Sequence, residues 1–231
     1  MTEKTGKAEL EGMERVEGIE KREKGSRTPM KESEEQEKGS RTPKKESEER
    51  EKGREVLMKE SGRQEKLQHP FPPLYDERSK ILVLGSFPSV KSREMAFFYG
   101  HPQNRFWKLL SILLDAPFPE TVPERRAFLL SHRIAAWDVI ASCEIRGSSD
   151  SSIRNAEPNN LRRILDAAPI RQVFVNGQTA GRLYRKYQER PLCDEYGDCA
   201  KAVILPSTSP ANAAWTMERL EGAWKEILRY L

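Results

Sequence analysis

The chain has 231 residues, of which 33% are charged and 8% aromatic, and its formal net charge is +4. It has no apolar run near the roughly 18 residues that a membrane span needs, and no apolar leader segment follows Met1. Its three cysteines, Cys143, Cys193 and Cys199, are too few and too irregular for a disulfide framework or an iron–sulfur cluster. We therefore expect an intracellular protein with reduced thiols, in the cytoplasm or nucleoid of a prokaryote or the nucleus of a eukaryote.

Composition divides the chain into two parts. Residues 1–66 lack aromatic side chains and balance 18 basic against 18 acidic residues, so the net charge belongs entirely to residues 67–231. The first part repeats EKGSRTP every 14 residues from Glu23, and Gly and Thr-Pro interrupt each unit. Because it buries too little apolar surface to offset chain entropy, we predict a disordered tail over 1–66 and a folded domain over 67–231. A solvated linker is favoured over a binding arm, although its basic clusters could contact phosphate weakly.

The elements predicted after the tail alternate between strand and helix. In chain order they are a strand over 80–85, helices over 104–115 and 123–132, a strand over 134–141, a helix over 159–169, a strand over 171–177, a helix over 179–190, a strand over 200–207 and a helix over 212–231. This alternation is typical of the α/β class. We predict a three-layer αβα domain around a central, mostly parallel sheet of four strands.

Polar segments marked by Gly or Pro follow three of these strands. GSFPS occupies 85–89, NGQ occupies 176–178, and PSTSPANA occupies 206–213. Any one of them is explained as an ordinary turn. Ligands of such sheets, however, bind outside the carboxyl ends of the strands, so three polar segments at that edge predict a site there.

Together with YGHPQNRFWKLL at 99–110, these segments resemble motifs of the uracil-DNA glycosylase superfamily. GSFPS resembles its first motif, a Gly-x-(Asn/Asp)-Pro loop, and LPSTSPANA resembles the loop that enters the DNA minor groove. YGHPQNRFWKLL resembles the element that follows the first motif in the mismatch-specific uracil/thymine branch. The resemblance covers about 75–231. It implies a monomeric, monofunctional enzyme that flips a deaminated base out of double-stranded DNA and leaves an abasic site, without metal or cofactor.

One departure from the first motif points to a particular branch. Phe87 stands where the family carries the Asn or Asp that positions the attacking water, and a phenyl ring cannot do so. The hypoxanthine (deoxyinosine) branch lacks that polar residue and keeps an Asn downstream, and this sequence resembles it most. The resemblance implies that Asn104 is catalytic and that hypoxanthine is the substrate, with uracil as the alternative. The competing interpretation is that Asn104 caps the helix that follows it.

The first loop and the third strand supply the predicted contacts to the base. The backbone amides of Ser86, Phe87 and Ser89 are candidates for stabilising the leaving base, and Gly85 and Pro88 belong to the same substrate loop. By the resemblance, Asn176 reads the base edge. One fixed amide matches the adjacent carbonyl and N–H of uracil and hypoxanthine but not the inverted pair of cytosine and adenine. The alternative is a turn residue before Gly177.

The remaining candidates are aromatic or lie in the last loop. The resemblance implies that Tyr99, with Phe98 as the alternative, stacks on the flipped base, unless these rings only pack the core. His101 is predicted to contact the base or a phosphate, or to be structural. Predicted DNA contacts come from Ser207, Thr208 and Ser209, from a wedge of Pro210, Ala211 and Asn212, and from a helix beginning near Asn212. Lys91, Arg93 and Arg105 either bind phosphate or are solvated.

Other functions are less consistent with the sequence. It contains no G-x-S-x-G of an acyl hydrolase and no G-x-G-x-x-G after the first strand of a dinucleotide-binding enzyme. A non-catalytic nucleic-acid-binding member of the same fold remains an alternative, because the loss of the polar group at Phe87 would suit it.

Overall fold

The computed structural model of the chain describes residues 66–146 and 149–231. The tail predicted over 1–66 lies outside these residues, apart from Lys66. Within them, no helix is long and apolar enough to cross a lipid bilayer. All three cysteines lie in this part of the chain and are free thiols.

A parallel sheet of four strands forms the centre of the domain. Its strands are β2 (Ile81–Gly85), β3 (Ile134–Asp138), β6 (Gln172–Asn176) and β7 (Val203–Leu205). They are all parallel and lie in the spatial order β3-β2-β6-β7. Every residue of β2 and β3 is buried, as expected of a parallel sheet covered on both faces. The predicted α/β class and its central four-stranded sheet are confirmed.

A second, antiparallel sheet was not predicted. It consists of β1 (Lys66–Gln68), β4 (Ile140–Glu144) and β5 (Arg154–Pro158), in the order β1-β4-β5. The single strand predicted over 134–141 is therefore two strands that belong to different sheets. Asn159 stabilises this break, because its side-chain amide donates to the carbonyls of Asp138 (2.9 Å) and Ile140 (3.1 Å).

Seven α-helices connect the described strands: α1 (Val90–Met95), α2 (Phe106–Leu113), α3 (Val122–Ser131), α4 (Arg162–Leu165), α5 (Gln178–Tyr184), α6 (Arg190–Tyr196) and α7 (Met217–Trp224). A π-helical turn, Arg185–Glu189, joins α5 to α6. The helix predicted over 159–169 is only the short α4. The last helix begins at Met217 rather than near residue 212, because the hydroxyl of Thr216 accepts the N–H of Arg219 and caps it there.

Candidate active site

The loops that follow β2, β6 and β7 line one cavity of about 1020 Å³ at the carboxyl edge of the central sheet. Another part of its wall is formed by Asp138 and Asp150 and by four residues ahead of α2, namely Phe98, Tyr99, His101 and Asn104. The polar segments therefore meet at the predicted edge. Every residue that the sequence analysis assigned to the site contributes to this lining.

The first loop, residues 85–89, is held by neighbours on both sides. A Cβ at Gly85 would lie 2.2 Å from Asp138 Oδ1, so any larger residue there would displace this carboxylate. The hydroxyl of Ser86 donates to Asp150 Oδ2 (2.8 Å), and burial raises the pKa of this carboxyl although the residue as a whole is exposed. Ser89 accepts the N–H of Ser92 (3.2 Å) and so caps α1. The loop is thus fixed before any ligand binds.

Phe87 forms an apolar part of this loop. Its side chain is buried, and its ring lies edge-on to the imidazole of His69 at 6.2 Å between ring centroids. The guanidinium of Arg93 lies 5.9 Å from the centre of the Phe87 ring and also donates to the carbonyl of Pro88 at 2.7 Å. Arg93 therefore supports the loop, while Lys91 forms a surface ion pair with Glu94 (2.7 Å).

Asn104 lines the cavity and also serves the helix that follows it. Its Oδ1 accepts the N–H of Phe106 at 3.0 Å, and its own N–H donates to the carbonyl of His101 at 2.8 Å. Asn104 thus binds the first amide of α2 from one position before the N-cap, which is Arg105 and makes no side-chain cap of its own. A carbonyl oxygen accepts two hydrogen bonds, so the second lone pair of Oδ1 and the amide N–H groups stay available to a ligand. The ring of His101 accepts the N–H of Gln103 (3.2 Å) and stiffens the same segment.

The aromatic residues before Asn104 divide between the core and the cavity. Phe98 is buried and packs edge-to-face on Phe71 and Phe97. Tyr99 is partly exposed and stacks on Phe106 at 3.8 Å between ring centroids. Its hydroxyl is buried without a hydrogen-bond partner among the described residues. Burial, reinforced by the charge of Asp138, raises the pKa of this phenol, so it remains a neutral donor.

Asn176, at the end of β6, is fixed in one orientation by Thr208. Its Nδ2 donates to Thr208 Oγ1 (2.9 Å), and its Oδ1 accepts the backbone N–H of Thr208 (3.0 Å). The backbone N–H can only donate, so it determines which end of the amide is oxygen. One N–H and one lone pair of Asn176 have no partner in Thr208, and they point to opposite sides of the amide because Thr208 occupies the edge between them.

The loop after β7 is a compact turn. Ser207 Oγ accepts the N–H of Ser209 (3.2 Å), Ser209 Oγ accepts the N–H of Ala211 (3.3 Å), and Asn212 Nδ2 donates to the carbonyl of Ser207 (2.9 Å). Pro210 and Ala211 form its outer tip. Thr208 was predicted to contact DNA, but it is fully buried against Asn176, so we assign it to the positioning of that amide instead.

Comparison with known proteins identifies the chain. A family model described as the uracil DNA glycosylase superfamily matches residues 72–231. The chain belongs to the uracil DNA glycosylase superfamily. The predicted resemblance to this family and the predicted enzyme class, a DNA glycosylase, are thereby confirmed.

Relatives of this glycosylase include two archaeal proteins named hypoxanthine DNA glycosylase. The one from Methanosarcina acetivorans is 33% identical over 162 residues, covering 69% of this chain and 97% of the relative. The one from Methanosarcina barkeri is 32% identical over 161 residues, covering 69% of this chain and 96% of the relative. A solution NMR structure of a provisionally named uracil DNA glycosylase from M. acetivorans is 32% identical and superposes with a TM-score of 0.59, covering 70% of this chain and 96% of that one.

The guanidinium of Arg105, considered from the sequence as a phosphate contact, is directed at the last loop of the glycosylase. It lies within hydrogen-bonding distance of four carbonyls of the last loop and of one just after it, namely those of Ser207, Thr208, Ser209, Asn212 and Trp215. The backbone N–H of Arg105 also donates to the carbonyl of Thr208 at 3.1 Å. The residue that follows Asn104 therefore holds the loop after β7 in place.

Two acidic residues of the glycosylase cavity were not predicted from the sequence. Asp138 ends β3 and contacts His69, and Asp150 holds Ser86. The signal for Asp138 was an acid inside the apolar run IAAWDVIA, at the point where the strand ends. The partnership with His69 spans 69 residues, and nothing in the sequence pattern pairs the two.

Proposed function

We propose that this DNA glycosylase removes hypoxanthine, and uracil as the second candidate, from double-stranded DNA and leaves an abasic site. It would act as a monomer, and the free cysteines support an intracellular setting. The proposal rests on the orientation of Asn176, which Thr208 fixes at the cavity wall. Two relatives that carry the name hypoxanthine DNA glycosylase support the choice of base.

Base recognition follows from the unused groups of Asn176. Its free N–H donates to the C6 carbonyl of hypoxanthine. The free lone pair lies on the opposite side of the amide, because Thr208 occupies the edge on which an N–H and a lone pair converge, so the adjacent N1–H of the base is left to another acceptor. Adenine presents a donor and an acceptor in the reverse order. Because Thr208 prevents the amide from turning over, adenine would leave buried polar groups unpaired at a cost of about 1–3 kcal/mol each. Normal DNA bases with this inverted pair are thereby rejected.

The base enters the cavity only after the nucleotide is flipped out of the helix. Tyr99 offers a ring on which the flipped base stacks, with Phe98 behind it in the core. The tip at Pro210 and Ala211 enters the space that the nucleotide leaves, while Ser207, Ser209 and Asn212 hold that tip in shape. The loop of Ser86, Phe87 and Ser89 faces the base through its backbone.

Hydrolysis requires a water molecule aimed at C1′ and stabilisation of the charge on the departing base. Asn104 is our choice for orienting the water, because Oδ1 has a lone pair left and Phe87 provides no polar group. Its bond to Phe106 keeps the side chain in one position, which favours a precise geometry.

The test is a panel of duplexes that carry a single deoxyinosine, deoxyuridine or deoxyxanthosine, treated with alkali after incubation. Strand breaks at deoxyinosine, faster than at the other two, are the expected result. Faster cleavage at deoxyuridine would contradict the proposed substrate. Tight binding to all three duplexes without strand breaks would instead support a non-catalytic binding protein of this fold.

A further inference from the structure

A buried pair of ionisable side chains lies directly beside the cavity. His69 Nε2 lies 2.8 Å from Asp138 Oδ2, and the two side chains are only 4% and 9% exposed. Asp138 ends β3 at the carboxyl edge of the central sheet, whereas His69 follows β1 of the other sheet. Removing two such groups from water is expensive unless both are fully paired, so the arrangement calls for a reason beyond packing.

The hydrogen bonds of His69 fix where the protons lie. Its Nδ1 lies 2.8 Å from the carbonyl oxygen of Phe71, which can only accept, so Nδ1 carries a proton. The contact between Nε2 and Asp138 Oδ2 then requires one further proton between them. Whichever atom holds it, the second oxygen of Asp138, Oδ1, has no proton and acts only as an acceptor.

That second oxygen is directed at the cavity. Asp138 is paired in register with Gly85 of the first loop, and a Cβ at Gly85 would lie 2.2 Å from Oδ1. Glycine therefore leaves open the space into which the oxygen points, and both residues line the cavity. Within residues 66–146 and 149–231, no hydrogen-bond donor is found for Oδ1.

We propose, on the basis of the proposed glycosylase function, that Asp138 is a catalytic residue whose Oδ1 accepts a hydrogen bond from the attacking water, and that His69 positions it. The oxygen of water bonds to C1′ as the bond from C1′ to the base nitrogen breaks and its electron pair leaves with the base. The water proton passes to Oδ1, and the base takes a proton from solvent. The carboxylate also stabilises the positive charge that develops on the sugar.

Asp138 supplies the proton acceptor that neither Phe87 nor Asn104, which orients the same water, can provide. An amide such as Asn104 is a weak base, and one lone pair of its Oδ1 is already occupied by the N–H of Phe106. With the shared proton on His69 Nε2, Asp138 is a carboxylate, which accepts more strongly than an amide and brings a full negative charge. Asp138 is one strand away from the first loop, so the polar group missing from that loop is supplied by the neighbouring strand.

The other ionisable groups around Asp138 do not compete for this role. Asp150 accepts from the hydroxyl of Ser86 at 2.8 Å with one oxygen, but it is exposed as a whole and is not held by a buried histidine as Asp138 is. Tyr99 remains neutral because its pKa is raised by burial and by the charge of Asp138. His69 is committed through both ring nitrogens.

The experiment measures single-turnover base release and duplex affinity for the full chain and for Asp138→Asn. Asp138→Asn should lower the rate by about 100-fold or more, as expected for loss of a general base, while affinity changes less than about threefold. His69→Gln should lower the rate by a smaller factor. Asp76→Asn, which makes the same chemical change in a turn outside the cavity, should leave the rate within twofold.

Chemical rescue separates catalysis from folding. Formate added to Asp138→Ala should restore part of the rate, because a small carboxylate can occupy the vacated space, whereas formate should not restore His69→Gln. An Asp138→Asn rate within threefold of wild type, or the absence of formate rescue in a folded Asp138→Ala, overturns the proposal. If the wild type releases only uracil, hypoxanthine is not the substrate, and the role of Asp138 is tested by the rate of uracil release. If the wild type releases no base, both the proposed function and the role of Asp138 are wrong.

Discussion

At the scale of single residues, the two cavity amides are both bound to neighbouring groups before any substrate arrives. Asn104 is tied to the start of α2, and Asn176 is tied to Thr208. Each retains some of its hydrogen-bonding capacity, so its structural and functional roles coexist in one side chain. Variants that separate the two roles are therefore more informative than alanine alone.

For Asn104, the cap and the water-orienting role can be separated. Asn104→Ala should lower base release by about 100-fold and stability by about 1 kcal/mol through loss of the bond to Phe106. Asn104→Ser keeps a capping oxygen that is too short to reach the water, so it should recover the stability but not the rate. Thermal denaturation and single-turnover assays check both. Full activity in Asn104→Ser would remove Asn104 from the mechanism.

For Asn176, the prediction concerns selectivity. Asn176→Ala should slow base release and also reduce the preference for deoxyinosine over deoxyadenosine in competition assays. Thr208→Val removes Oγ1 but keeps the backbone N–H that orients the amide, so it should cost selectivity less than Asn176→Ala does. Unchanged selectivity in Asn176→Ala would refute the proposal that Asn176 recognises the edge of the base.

At the scale of elements, Arg105 connects the start of α2 to the loop after β7. Its guanidinium lies within hydrogen-bonding distance of five carbonyls, so losing it would leave several partly buried acceptors unpaired, at about 1–3 kcal/mol. Arg105→Gln should therefore speed hydrogen exchange in residues 207–215 and weaken DNA binding. Lys108→Gln, an exposed cation of α2, is the matched control.

The salt dependence of DNA binding distinguishes this clamp from a phosphate contact. Because Arg105 holds the loop rather than DNA, Arg105→Gln should leave the slope of log affinity against log salt unchanged. Loss of one phosphate contact would reduce the slope by about 0.9. A reduced slope would show that Arg105 does contact the DNA backbone.

Sequence patterns identified the elements whose signals are local. The apolar runs of β2, β6 and β7 and the polar loops after them were predictable because a parallel strand covered on both faces is continuously apolar. The antiparallel sheet was not, because its strands are short and partly exposed, as in the RNAEP of β5. The loops of the site were also predictable from local sequence, because polar segments with Gly or Pro directly follow these strands. The contacts of Arg105 and the pairing of Asp138 with His69 were missed, because they join residues far apart in the chain.

At the scale of the whole molecule, the cavity depends on both sheets. The central sheet carries Asp138 and Asn176, but the histidine that holds Asp138 follows β1 of the antiparallel sheet. Strand β1 pairs with β4, and the N–H of His69 extends that pairing to the carbonyl of Ala141 (2.7 Å). The point at which the chain can be shortened without damage to the site is therefore sharply defined.

Two truncations four residues apart test this boundary. A chain of residues 66–231 keeps β1 and His69, so it should retain base release within about threefold of the full chain if the charged tail is a passive linker. A chain of residues 70–231 loses the strand and leaves Asp138 buried without its partner, so its rate should fall by at least 10-fold and its melting temperature should drop. Loss of activity in the chain of residues 66–231 would show that the tail has a role in catalysis. Full activity in the chain of residues 70–231 would mean that His69 does not position the carboxylate of Asp138.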